Sequence, residues 1–107
     1  MAKPITVVEI PTQPIADFCR HWKISELALF GSVLRDDFRP DSDVDVLVSF
    51  TDGTNWSLFD MSRMEEQLEV ILGRRVDLIE RRAVELSENY IRRRHILETA
   101  KPIYVAR

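Results

Sequence analysis

The apolar positions of the chain change period several times, and each change marks an element. Ile15, Phe18, Cys19 and Trp22 stand at i, i+3, i+4 and i+7, one face of a helix that begins near Gln13. Residues 27–30 form a short apolar run that stops at Gly31, the pattern of a buried strand. From residue 43 to 50 the chain alternates. Val44, Val46, Val48 and Phe50 fall on one face, and Asp43, Asp45, Leu47 and Ser49 on the other. A second helical stripe, Met61, Met64, Leu68, Ile71 and Leu72, follows Ser57, a suitable N-cap, and ends at Gly73, a suitable C-cap. That stripe puts Glu65, Glu66 and Glu69 on the outer face.

Residues 75–80 read as a third strand. A helix capped by Ser87 runs to about Thr99 with Ile91, Ile96 and Leu97 inward, and residues 102–105 make a short last strand. Pro4, Pro11 and Pro14 make residues 1–11 an extended lead-in with an edge strand over 5–10. Residues 33–37 suggest a short helix or turn, and 40–42 a loop. Helices and strands alternate, which predicts an α/β domain: a small mixed sheet with flanking helices, all 107 residues forming a single domain.

Composition narrows the function classes. One cysteine, Cys19, excludes an internal disulfide, and no Cys/His cluster has zinc spacing. Cys19 sits on an apolar helix face without an activating neighbour, so it reads as core. No apolar run reaches the roughly 20 residues of a membrane span, and the first residues lack signal-peptide character. A cytoplasmic protein is expected. The net charge of −3, from 18 acidic and 15 basic residues, does not suggest direct nucleic-acid binding. Bases gather late, at Arg74, Arg75, Arg81, Arg82, Arg92, Arg93 and Arg94, as solvated faces or as a docking surface for an acidic partner or nucleotide.

The chemistry concentrates in Gly31–Ser32, ten residues, and then Asp43–Val44–Asp45. Two carboxylates at i and i+2 of a strand lie on one side, roughly 6.5–7 Å apart along the backbone. Ionised together on a dry face they repel, unless a cation offsets them. A hard divalent ion such as Mg²⁺ suits oxygen ligands, and a pair of such ions can clamp the attacking and leaving oxygens of a nucleotidyl transfer. Asp77, between Val76 and Leu78, is a third acid in an apolar strand and would join the pair if the two strands were neighbours. Gly31 permits close backbone approach to a ligand, Ser32 offers a hydroxyl beside free N–H groups at a helix start, and Arg35 is within reach of phosphate oxygens.

The segments FGSVLRDDFRPDSDVDVLV, RRVDLIE and RRRHILETAKPIYV occur in this order. In them the chain resembles the nucleotidyltransferase superfamily that includes DNA polymerase beta. Its shortness is similar to that of the minimal nucleotidyltransferases, the antitoxin halves of HEPN–MNT toxin–antitoxin pairs. The resemblance extends from the helix around Phe18 to the strand at Tyr104. It implies the polymerase beta-like fold and two Mg²⁺ ions held by Asp43, Asp45 and Asp77, with Asp77 also accepting the proton of the nucleophile. It further implies that Gly31 and Ser32 hold the triphosphate of ATP, with Arg35 at a basic position common in minimal members. The implied reaction is transfer of AMP from ATP to a tyrosine hydroxyl of a cognate HEPN ribonuclease toxin, with which the chain would form a hetero-oligomer. Two alternatives stand beside it: an antitoxin that acts by occlusion alone, and a transferase acting on a small molecule.

Overall fold

The computed structural model describes residues 10–31 and 43–106. Their order is α1 (Thr12–His21), β1 (Ile24–Phe30), β2 (Val44–Phe50), α2 (Leu58–Leu72), β3 (Val76–Glu80), α3 (Arg81–Glu85), α4 (Tyr90–Thr99) and β4 (Lys101–Val105). The strands form one sheet in the order β3-β2-β1-β4. β1 runs antiparallel to both β2 and β4, and β2 runs parallel to β3. The mixed sheet with flanking helices is thus the architecture that the alternating pattern predicts. The expected features over residues 33–37 and 40–42 lie outside the described residues, as does the edge strand over 5–10 apart from Ile10.

Strand alternation divides the interior in two. Leu27 and Leu29 of β1, Val44, Val46 and Val48 of β2, and Val76 of β3 pack on one face against Ile15, Phe18 and Cys19 of α1 and Met64, Leu68 and Leu72 of α2. Ala28, Phe30 and Leu47 point to the other face, where Val84 of α3 and Ile96 of α4 cover them. The first cluster contains all four residues of the first predicted stripe, Trp22 included. Trp22 donates its indole N–H to Gln67 of α2 at 2.8 Å, and its carbonyl accepts the indole N–H of Trp56 at 2.9 Å. These bonds satisfy the polar ends of two large apolar side chains and tie the end of α1 to α2 and to the segment before it.

Local signals fix the ends of α2. The Ser57 hydroxyl accepts the Asp60 N–H, and the Asp60 carboxylate accepts the Ser57 N–H at 2.8 Å, a capping box. Those bonds hold the Asp60 carboxyl below its ordinary range. Gly73, at φ +69°, closes the helix in the left-handed region that glycine enters without strain.

Four details differ from the sequence expectation. β1 starts three residues before the apolar run, at Ile24, because pairing with β2 continues to Phe50. Helix α3 has only five residues with one buried side chain, Val84, too little for a helical period to show. The cap of α4 is Asn89, whose side-chain oxygen accepts the Arg92 N–H at 3.1 Å, while Ser87 instead accepts the N–H of Asn89. Helix α4 therefore starts later and turns Ile91 outward, 80% exposed, leaving Ile96 as its buried residue. The fourth detail concerns α2. Glu66 faces out as expected, but Glu65 and Glu69 are partly buried and bond the backbone of β3.

Candidate active site

Three strand ends meet at one end of the sheet. The antiparallel register sets Phe30, the last residue of β1, beside Asp45, and the parallel register sets Asp45 beside Asp77. The neighbouring strands that would bring Asp77 to the Asp-x-Asp pair are therefore present. Adjacent strands lie about 4.8 Å apart, and residues at matching register turn their side chains to the same face. Asp45 and Asp77 share the face of Leu47 and Ile79, toward α3 and α4, while the valines between them point into the opposite core. The apolar alternation of β2 and β3 thus anchors both strands and delivers a carboxylate from each.

Gly31 follows directly on β1 at φ +75°. A Cβ placed there would lie 2.3 Å from Oδ2 of Asp45 and 3.3 Å from its Cγ. A side chain at residue 31 would have to displace the Asp45 carboxylate, and the φ angle independently favours glycine. Asp43 precedes β2 and is half exposed; Oδ1 lies 3.4 Å from Nε of Arg75. The backbones of the same two segments are bound as well, Val44 N–H donating to the Arg75 carbonyl at 2.8 Å. An exposed ion pair of this kind contributes at most about 1 kcal/mol, so Arg75 leaves Asp43 available. Ser32 and Arg35 lie outside the described residues.

Every candidate ligand here is a carboxylate, the donor that hard divalent cations prefer. Among the described residues no three His, Cys, Asp or Glu side chains group closely enough to hold a metal ion between them. Such a donor set fits Mg²⁺ when substrate phosphate oxygens and waters complete the coordination, the usual arrangement for that ion. The strand register also carries an electrostatic cost, because Asp45 and Asp77 are side by side. Asp45→Asn is expected to keep the stability of the unliganded fold within about 1 kcal/mol of wild type, the size of such cross-strand terms. Thermal unfolding without metal measures this; a clear loss of stability would make Asp45 a structural residue.

Several of the late arginines are engaged in pairs away from the three aspartates. Arg81 reaches Glu26 at 3.7 Å and Glu85 at 3.3 Å, and Arg94 reaches Glu98 at 3.0 Å. Arg93 donates to the Ser87 carbonyl at 3.0 Å and lies over the Tyr90 ring. A cleft of about 410 Å³ lined by Ser49, Asp52, Glu80 and Arg81, among others, opens at the opposite end of β2 and β3 and contains none of the three aspartates. Burial pushes the Cys19 thiol up to about 12, against the opposing charge of Arg20, so this cysteine is an inert core residue. None of the helices among the described residues is long and apolar enough to cross a membrane.

Comparison with known proteins identifies relatives of the chain and of its fold. The chain is 45% identical to the protein adenylyltransferase MntA of Thermococcus cleftensis over 56 residues, 52% of this chain and 54% of that protein. The match thus spans about half the length of that relative. Among solved structures, a minimal nucleotidyltransferase superposes with a TM-score of 0.65 at 34% identity, covering 86% of this chain and 88% of the other. A chain in the complex of a tri-AMPylated Shewanella oneidensis HEPN toxin with its MNT antitoxin shares the fold, with a TM-score of 0.58 at 20% identity over 86% of this chain and 67% of the other. The nucleotidyltransferase domain family matches residues 14–101, which include the strand ends at Gly31, Asp45 and Asp77, and the chain belongs to that family.

Proposed function

We propose that the chain is an Mg²⁺-dependent protein adenylyltransferase that moves AMP from ATP to a tyrosine hydroxyl of a HEPN ribonuclease toxin and so acts as its antitoxin. The observation that carries this reading is the side-by-side register of Asp45 and Asp77 with Gly31 pressed against Asp45. Family membership, the adenylyltransferase relative and the AMPylated toxin bound to an antitoxin of the same fold support AMP transfer and a HEPN toxin as the partner. Residues 1–107 act as one domain, since every described helix packs on the single sheet. The unpaired, buried Cys19 suits a reducing cytoplasm.

Asp43, Asp45 and Asp77 would hold the ions. Mg²⁺, when bound, neutralises phosphate charge and lowers the barrier to displacement at the α-phosphorus. Gly31 gives the triphosphate room to approach the backbone, and Ser32 and Arg35 contribute a hydroxyl and a guanidinium to its oxygens. The toxin hydroxyl oxygen forms a bond to the α-phosphorus, the bond to the β-phosphate oxygen breaks, and pyrophosphate leaves with that electron pair. Asp77 accepts the hydroxyl proton. Its exposed position on β3 leaves it open to a hydroxyl carried by another protein.

Calorimetry of ATP binding tests the metal assignment. Affinity is expected to be weak in EDTA and tighter in Mg²⁺ or Mn²⁺, because carboxylates at the strand ends repel a triphosphate until cations lie between them. Equal affinity in both conditions would remove the ions from the site.

A further inference from the structure

Among the described residues, strand β3, which carries Asp77, forms an edge of the sheet, with β2 on its inner side only. Successive residues of a strand direct their N–H groups to opposite sides, so the N–H groups of Val76 and Leu78 leave the same, outer side, where no described strand receives them. Both are occupied by side chains of α2. Val76 donates to Oε2 of Glu69 at 3.0 Å, and Leu78 donates to Oε2 of Glu65 at 3.0 Å. Glu65 and Glu69 are four residues apart, one helical turn, and therefore lie one above the other on the helix face toward β3. The spacing of two strand residues is matched to that turn. The two bonds bracket Asp77.

From this geometry we infer that Glu65 and Glu69 are positioning residues that hold Asp77 in register with Asp45. An edge strand paired on one side can slip or fray, and a slip of one residue would turn residue 77 to the opposite face. Carboxylate acceptors make short, strong bonds to backbone N–H groups, and here they replace the missing neighbouring strand. They reach β3 from the face opposite to the one that Asp77 shares with Asp45, so neither glutamate lies among the three aspartates. Their catalytic consequence rests on the proposed function; their structural consequence does not.

The test compares the whole chain with E65A/E69A and E65Q/E69Q variants by two readouts. Amide hydrogen exchange is followed at Val76 and Leu78. AMP transfer to the toxin is followed in Mg²⁺ over a range of ATP concentrations. The alanine pair is expected to exchange both amides faster and to lose about 10–100-fold in kcat, the usual effect of removing a group that orients a ligand. KM for ATP should change little, because Asp43, Asp45 and the phosphate-binding segment are untouched. The glutamine pair keeps a carbonyl acceptor at the same reach and is expected to restore both readouts. E65A alone, which frees only the Leu78 amide, serves if the double variant does not fold. Unchanged exchange, unchanged kcat in the alanine variants, or failure of glutamine to restore either readout overturns the inference. A wild-type chain that transfers no AMP overturns the proposed function instead, and hydrogen exchange then decides the positioning by itself.

Discussion

Asp77→Asn is expected to abolish AMP transfer to the toxin while sparing most ATP binding. Intact-mass measurement of the toxin after incubation with ATP and Mg²⁺ reads the first effect, since each modified hydroxyl gains the mass of one AMP group. Calorimetry reads the second. The separation follows from position. Asp45 lies between Phe30 and Asp77 in the sheet, against the Gly31 backbone where the triphosphate is proposed to lie. Asp77 lies one strand further out, on the exposed edge. The asparagine keeps the side-chain shape but removes both the charge and the proton-accepting oxygen. Loss of a proton acceptor or of charge stabilisation costs about 10²–10⁴ in rate. The same variant separates catalysis from occlusion. If wild type silences the toxin without a mass increase and Asp77→Asn silences it equally, the chain works by binding alone.

The chemistry of the site was more legible in the sequence than its supports. Asp43 and Asp45 announce themselves because charged residues in a strand that otherwise alternates valines break the apolar pattern, and Asp77 does so for the same reason. The adjacency of their strands required pairing information that no local pattern contains; the parallel register supplies it. Periodicity alone puts Glu65 and Glu69 on the outer face, because it separates apolar from polar positions but cannot say that a polar position faces a strand whose outward N–H groups it will bind. An i,i+4 acidic pair before a strand that carries a lone aspartate is the signal available, and it gains meaning only once β3 is known to be an edge. Helix α3 is silent in the sequence for a different reason: with Val84 its sole buried residue, it follows β3 without a break and has no period to detect. Ile91 shows the converse error, an apolar residue assigned inward by type whose helix begins too late to bury it.

Gly31→Ala tests whether the close approach of backbone and carboxylate sets the site, and a large loss of activity is expected. Two separate penalties fall on the variant. Alanine in the left-handed region costs roughly 1–2 kcal/mol. The new Cβ also meets Oδ2 of Asp45 at 2.3 Å, so the carboxylate has to rotate away from the strand end. The flanking chain resists relief from the backbone side, since Phe30 is buried and paired with Asp45. Thermal unfolding is expected to fall by several degrees, at roughly 4–8 °C per kcal/mol for a domain near this size. AMP transfer should fall about as far as in Asp45→Ala, because a misdirected carboxylate serves no better than an absent one; a misplacement of about 1 Å alone can cost 10²-fold. A double-mutant cycle isolates the contact. In an Asp45→Ala background the carboxylate is gone, and Gly31→Ala should cost only the backbone strain, leaving a coupling energy between the two positions of the size seen for residues in direct contact, about 0.5–3 kcal/mol. Additive losses across the cycle, or a Gly31→Ala variant with wild-type transfer rates, would mean that Gly31 serves the turn alone and that Asp45 takes its orientation from elsewhere.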